Sequence, residues 1–170
     1  MKRLVACLLL LIATPTFAQM HVHKSAPHAE ARQRSIKALS EAQVADLQAG
    51  KGMGLALAAE LNGYPGPLHV LEHAQALHLS PAQEQRLRDL REAMTKEAVA
   101  EGQKLIELEK KLDAAFASRQ ISEPVLAQLV ADIGSSQAAL RTVHLKYHLV
   151  TATLLDPHQL HRYAELRGYR

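Results

Sequence analysis

Tryptophan is absent from this chain of 170 residues, which has only two phenylalanines, four tyrosines and a single cysteine, Cys7. One thiol excludes an internal disulfide, so stability has to come from packing or assembly. So few rings leave Leu, Ala and a few Val and Ile to fill the interior, which suits helices lying side by side. No segment alternates polar and apolar residues as a half-buried strand does. None is long and uncharged enough to span a bilayer. Excess charge is also scarce: 20 Lys and Arg face 17 Asp and Glu, a formal net charge of +3. A nucleic-acid partner would call for a clustered basic surplus, so none is expected. Lys51 has glycine on both sides, but the surrounding residues do not form a phosphate loop, and no nucleotide is expected.

The chain opens on Met1-Lys2-Arg3, an apolar run from Leu4 to Ala13, and small residues at Thr16-Phe17-Ala18. This pattern predicts a secretory signal peptide over 1–18, cleaved near Ala18. Leu4-Val5-Ala6-Cys7 has the look of a lipoprotein box but precedes the apolar region, so lipid anchoring is not expected. Losing Lys2 and Arg3 would lower the formal charge from +3 by two, to +1, and would remove the cysteine. All ten histidines would remain. Residues 19–38 lack a sustained apolar period and are expected to be a flexible arm. His21, His23 and His28 make that arm either a metal-catching tail or simply a polar terminus.

What the chain does have is a repeated pentapeptide. Leu79-Ser80-Pro81-Ala82-Gln83 returns as Leu155-Asp156-Pro157-His158-Gln159, with a looser copy at Leu39-Ser40-Glu41-Ala42-Gln43. Each copy reads as a helix start, with Ser or Asp accepting from an orphan N–H; in the first two, proline takes the first helical position. A helix is expected from Ser40 to about Leu61, bent at Gly50, Gly52 and Gly54, each of which weakens it by roughly 1 kcal/mol against alanine. Asn62 to Pro67 stops it, and a short helix follows from Leu68 to about His78. Two long helices then run from Pro81 to about Ala117 and from Ser122 to Leu154, broken at Ser118-Arg119-Gln120. Leu87, Leu90, Met94, Leu105, Leu108, Leu112 and Phe116 mark the apolar seam of the first. Leu126, Leu129, Ile133, Leu140, Val143, Tyr147, Val150 and Leu154 mark that of the second, with Ser136 as a poorly filled spot. At about 1.5 Å per residue the first would approach 55 Å, too long for one short chain to cover, so a dimer is expected. The fold class predicted is all-α: an extended helical hairpin with shorter N- and C-terminal helices.

The paired Leu-Ser/Asp-Pro-x-Gln boxes, in a small helical chain with an export signal, resemble the Leu-Thr-x-x-Gln family of Spy and CpxP periplasmic proteins. The resemblance spans residues 39–170, with Ser or Asp in place of threonine. It extends to metal-linked relatives, the zinc-responsive ZraP and the nickel/cobalt sensor CnrX. It implies a periplasmic location and an antiparallel, cradle-shaped homodimer in envelope stress response. It further implies ATP-independent holding of unfolded or stressed envelope proteins, response to heavy metals, or restraint of a sensor kinase.

Two histidine groups can carry chemistry. His69-Val70-Leu71-Glu72-His73 puts two imidazoles one helical turn apart with a carboxylate beside them. The same letters spell the inverted zinc-protease motif, so a zinc hydrolase with Glu72 as base stands as a remote alternative, although no enzyme is expected. His144-Leu145-Lys146-Tyr147-His148 is a second pair. If the short helix packs near this end of the hairpin, His69, Glu72, His73, His144 and His148 share one site. Imidazole and carboxylate suit Zn(II), Cu(II), Ni(II) or Co(II). The alternatives for the His69–His73 group are that site or a solvated polar face. Met20, Met53 and Met94 are too scattered along the chain to make a thioether site, and His158 and His161 are expected at the surface.

Overall fold

The computed structural model describes residues 28–169. Every regular element among them is a helix: α1 (Ala29–Gln33), α2 (Glu41–Gln48), α3 (Leu57–Glu60), α4 (Pro67–Glu72), α5 (Pro81–Ala117), α6 (Glu123–Thr153) and α7 (Pro157–Leu166). The leader expected over 1–18, with His21 and His23, lies outside the described residues.

All three copies of the pentapeptide start a helix, and all three are full capping boxes. The Ser40, Ser80 or Asp156 side chain accepts from the N–H of the glutamine three residues on, and that glutamine accepts from the cap residue's own N–H. Reciprocal caps of this kind satisfy two orphan donors at once. The second and third boxes also meet each other. Gln83 Nε2 donates to Gln159 Oε1 at 2.9 Å, and Gln159 Nε2 donates to Gln83 Oε1 at 3.3 Å. The same two nitrogens reach the Leu154 and Leu77 carbonyls at 2.8 and 3.2 Å. This amide pair ties the start of α5 to the start of α7 and to the end of α6.

The long helices α5 and α6, of 37 and 31 residues, form the expected hairpin. Arg119, at φ 56, ends the first in the left-handed conformation. Leu90, Leu105 and Ile106 pack with Ile133, Leu140, Val143 and Tyr147 along the seam. Two seam assignments fail. Val150 is 40% exposed because Thr151, four residues beyond Tyr147, takes the inward position and is fully buried. Phe116 is 54% exposed, since the hairpin thins toward its tip. Ser136 does not leave a hole; it is fully buried, with its hydroxyl 3.5 Å from the Glu101 carbonyl.

The shorter elements cover the other end of the hairpin. The helix expected from Ser40 to Leu61 is two helices, because Gly50 and Gly54 both adopt positive φ and stop it outright. The end of α2 then lies across α5 between the seam residues Met94 and Leu105. Ala98 is fully buried there, and a Cβ on Gly102 would sit 2.5 Å from the Leu47 carbonyl oxygen. The short helix also ends early, at Glu72 instead of near His78. His73 leaves helical geometry, and His78 turns left-handed at φ 50 as Leu77 enters the core. Residues 28–38 were expected within an arm, yet they hold α1 and place Ile36, 2% exposed, in the main cluster. A second cluster of Val70, Leu77, Leu87, Leu155 and Tyr163 joins α4, α5 and α7.

The two helical glycines predict opposite responses to alanine. Gly102→Ala drives a methyl into the α2 backbone and is expected to destabilise by about 1–3 kcal/mol despite its better helix propensity. At Gly134 an added Cβ meets nothing within 4 Å, so Gly134→Ala is expected to stabilise by roughly 0.5–1 kcal/mol. Denaturant midpoints of the two variants check both signs.

Candidate functional site

The base of the hairpin holds a buried carboxylate outside the expected ligand set. Glu60 ends α3, where Gly63 at φ 84 reverses the chain and sends it into Tyr64-Pro65-Gly66-Pro67. Pro65 and Pro67 are fully buried, and Pro67 opens α4 at its first position, where a missing N–H costs nothing. This short arch curls around Glu60, which is 5% exposed.

Six groups converge on that carboxylate, from the Gly66 arch, α4, α6, α7 and the residues after α7. The Gly66 N–H donates to Oε2 at 3.2 Å. The Tyr163 hydroxyl of α7 donates to Oε1, and that of Tyr169 lies 3.4 Å from the same oxygen. His69 Nδ1 is 3.4 Å from Oε1, and His148 Nδ1 is 3.3 Å from Oε2. Arg167 Nε lies 3.9 Å from Oε1 and supplies the cation that a buried carboxylate requires. Burial and the bond to Glu60 push the Tyr163 phenol well above its ordinary range, so it remains a donor. The Tyr169 hydroxyl and the surrounding anionic oxygens raise the Arg167 guanidinium further.

His148 has an assignable tautomer. Its Nδ1 stands 2.7 Å from the Tyr64 carbonyl oxygen, which only accepts, so Nδ1 carries the proton. The lone pair is then on Nε2, which faces Gly66; a Cβ there would lie 2.8 Å from it. One turn earlier, His144 is 2% exposed, and its Nε2 is buried without a hydrogen-bond partner. Burial, reinforced by the neighbouring His148, pushes its pKa below 6.5. A cavity of about 300 Å³ links these groups; His69, His144, His148 and Glu60 line it, together with Met53 and Met94.

The expected ligand set is therefore split. His69, His144 and His148 share the cavity. Glu72 is exposed and stands apart from them, and Glu60 takes the carboxylate position. His73 does not pair with His69, because α4 ends one residue before it; its ring instead meets Tyr163 edge-on at 6.3 Å. The inverted protease spacing thus puts neither its glutamate nor its second histidine at the cavity. His28 is exposed before α1, and His158 and His161 are exposed on α7. Among the described residues, no group of three or more His, Cys, Asp or Glu is already gathered around one point as a metal site. The Nδ1 atoms of His69 and His148 are turned to the carboxylate as its partners.

One sequence signal for Glu60 did exist: it is the only charged residue between Lys51 and Glu72. A lone carboxylate in a glycine- and proline-rich apolar stretch has few exposed alternatives. Glu97 forms a second, more open centre, accepting from the Tyr147 hydroxyl at 2.8 Å and from Lys146. Those bonds, Lys146 first, lower its pKa, while burial and Glu97 push Tyr147 up to about 12.

The buried neutral His144 sets a pH dependence. Its folded pKa lies below the 6.5 of a free imidazole, so below that pH the unfolded chain binds the extra proton first. The stability it supports is complete above about pH 6.5 and falls with decreasing pH, by at most about 1.4 kcal/mol per unit. Denaturant midpoints from pH 7.5 to 5.5 are expected to fall less steeply for His144→Gln than for the unchanged chain.

Comparisons of the chain with family models, with curated proteins and with solved structures gave no match in any of the three.

Proposed function

We propose that this is an exported, metal-responsive accessory protein of the Spy/CpxP type, taking a divalent transition ion such as Zn(II), Cu(II), Ni(II) or Co(II) at Glu60, His69 and His148. The observation that carries this reading is the meeting of two imidazoles, from α4 and α6, on one buried carboxylate, with their Nδ1 atoms at 3.4 and 3.3 Å; an ion there displaces the Nδ1 proton that His148 gives to the Tyr64 carbonyl. Imidazole with carboxylate is a donor set for borderline ions. Glu60 also holds Tyr163, Arg167 and Tyr169. An ion drawing on its oxygens competes with the tethers of α7 and the residues after it. Occupancy is thereby coupled to the position of α7 and becomes a signal. Binding also competes with protons on the two imidazoles, so affinity falls as pH falls.

Calorimetric titration with Zn(II) tests the reading on the mature chain carrying His21→Ala, His23→Ala and His28→Ala. Substitution replaces deletion of 19–38, because Ile36 belongs to the core. One equivalent is expected to bind. Glu60→Gln and His69→Ala should each weaken it by at least about tenfold, the lower end of what loss of a supporting group costs. If binding disappears along with the three N-terminal histidines, the site at Glu60 is wrong.

A second reading, an ATP-independent holdase for unfolded envelope proteins acting as a homodimer, is favoured by the exposed apolar residues of the hairpin. Phe116, Val125 and Val130 are 54%, 47% and 51% exposed around its tip, close in sequence to Lys110, Lys111 and Arg119. Mixed aliphatic and cationic surface makes weak, multivalent contacts that restrain a chain without burying it. Light scattering of an aggregating client is expected to fall at one dimer per client, and to recover with Phe116→Ser and Val130→Ser. No suppression at that ratio removes the holdase.

A further inference from the structure

Chain order scatters the methionines, but the fold does not. Both described methionines, Met53 and Met94, line the 300 Å³ cavity that His144 also lines. We propose that His144, Met53 and Met94 form a site for a soft monovalent cation, Cu(I) or Ag(I), on the hairpin wall of this cavity. The inference deepens the metal reading by assigning a second cation class to the same cavity, and it rests on that cavity admitting an ion.

Three observations lead there. The first is the backbone at Met53. It sits at φ 44 between Gly52 and Gly54, a left-handed conformation that costs a side-chain-bearing residue about 1 kcal/mol or more. Met53 is 42% exposed, so burial of its side chain returns little of that cost. Strain of this sort, held without a packing reason, is found where a side chain is being presented to something. The second is its neighbour. Gly52 lies against the His144 ring, with the position of a Cβ on Gly52 3.7 Å from Nδ1, so the loop sets Met53 next to the imidazole in chain order. The third is His144 itself, which lines the cavity and has one nitrogen, Nε2, buried with no partner, while Nδ1 and Cε1 form the ring edge turned to Gly52. A buried polar atom normally has a partner.

Met94 comes from the opposite strut. It lies on α5 one turn before Ala98, against which Gly50 of the same loop packs; a Cβ on Gly50 would be 3.4 Å from that of Ala98. The loop 50–54 and this part of α5 are therefore in contact, and the two methionines line one cavity, one from the loop and one from α5. Thioether sulfur is soft and selects Cu(I) over the hard and borderline divalent ions. The carboxylate side of the cavity, with Glu60, His69 and His148, has the opposite preference. His148 is oriented by its bond to the Tyr64 carbonyl, which leaves His144 as the imidazole for the sulfur side.

The test uses Cu(I) on the full mature chain carrying Met20→Leu, His21→Ala, His23→Ala and His28→Ala, labelled with selenomethionine so that only Met53 and Met94 bear selenium. Cu(I) is measured by competition against bicinchoninate under anaerobic conditions, and by copper-edge X-ray absorption. Copper–selenium scattering is expected, and it should vanish in Met53→Leu/Met94→Leu, which preserves core volume at Met94. That double variant is expected to lose at least about tenfold in Cu(I) affinity, with Zn(II) affinity unchanged. Met53→Leu alone, at an exposed position, should lose part of it with no change in thermal midpoint. Absence of selenium scattering, or Cu(I) affinity unaltered in the double variant, overturns the inference whatever Zn(II) does. Zn(II) binding absent while copper–selenium scattering persists would instead remove only the divalent site.

Discussion

The amide pair between Gln83 and Gln159 is the contact on which the base of the molecule depends. Each glutamine already spends its oxygen on a cap, and each uses its nitrogen to reach the other and one further carbonyl. The pair is largely removed from water, Gln159 being 6% exposed. A buried amide left without partners costs on the order of 1–3 kcal/mol, so the two glutamines hold each other in register. Through them the first turn of α5 and the first turn of α7 become one rigid corner. Ser40 and Gln43 make the same cap without a counterpart, and there it only starts a helix. One local motif thus has two uses, decided by whether another copy faces it.

From that corner α7 is aimed at Glu60. Its Tyr163 lies in the second apolar cluster by its ring and on the carboxylate by its hydroxyl. Arg167 and Tyr169 follow after the helix ends and approach the same oxygen. Glu60 therefore joins α3, the Gly66 arch, α4, α6 and α7 at one point. Removing a single partner from such a centre strands a buried charge, and stranding is costlier than the pair is stabilising. A centre of this kind responds sharply to anything that competes for the carboxylate, whether proton or cation.

The sequence made the long elements legible and left the site half hidden, for physical reasons. Caps and apolar period are local, so α5 runs over Pro81–Ala117 as the residues indicated. His69 and His148 were recognised as candidates because imidazoles one turn from another histidine stand out. Glu72 was preferred to Glu60 only through sequence proximity, and the early end of α4 broke the spacing that made it attractive. The crossing of α2 at Gly102 has no local signature, because a small residue looks alike whether it leaves a gap or admits a backbone. The methionines went unconnected because their sharing of one cavity depends on a loop conformation, and periodicity carries no information about loops.

The distribution of polarity along the hairpin bears on how the two proposed activities relate. Tyrosine hydroxyls, imidazoles and the buried Glu60 are gathered at the end carrying α3, α4 and α7, with a second buried carboxylate, Glu109, farther along α5. Exposed apolar residues occur at both ends, Leu57, Leu61 and Leu149 at this one and Phe116, Val125 and Val130 near the other. Between them runs a continuous seam from Leu90 and Tyr147 to Ile133, and a close-packed seam transmits displacement instead of absorbing it. If an ion loosens α7 from Glu60, the nearest hairpin residues to feel it are Leu154 and Leu155, at the end of α6. Leu155 packs in the cluster with Tyr163, and Leu154 borders both clusters. In the proposed function, sensing and client contact would then act along one hairpin, with the Gln83–Gln159 corner as its fixed point. On this view the corner has to be stiff and uncharged, as an amide pair is, because a titrating group there would confuse protons at the pivot with ions at the site.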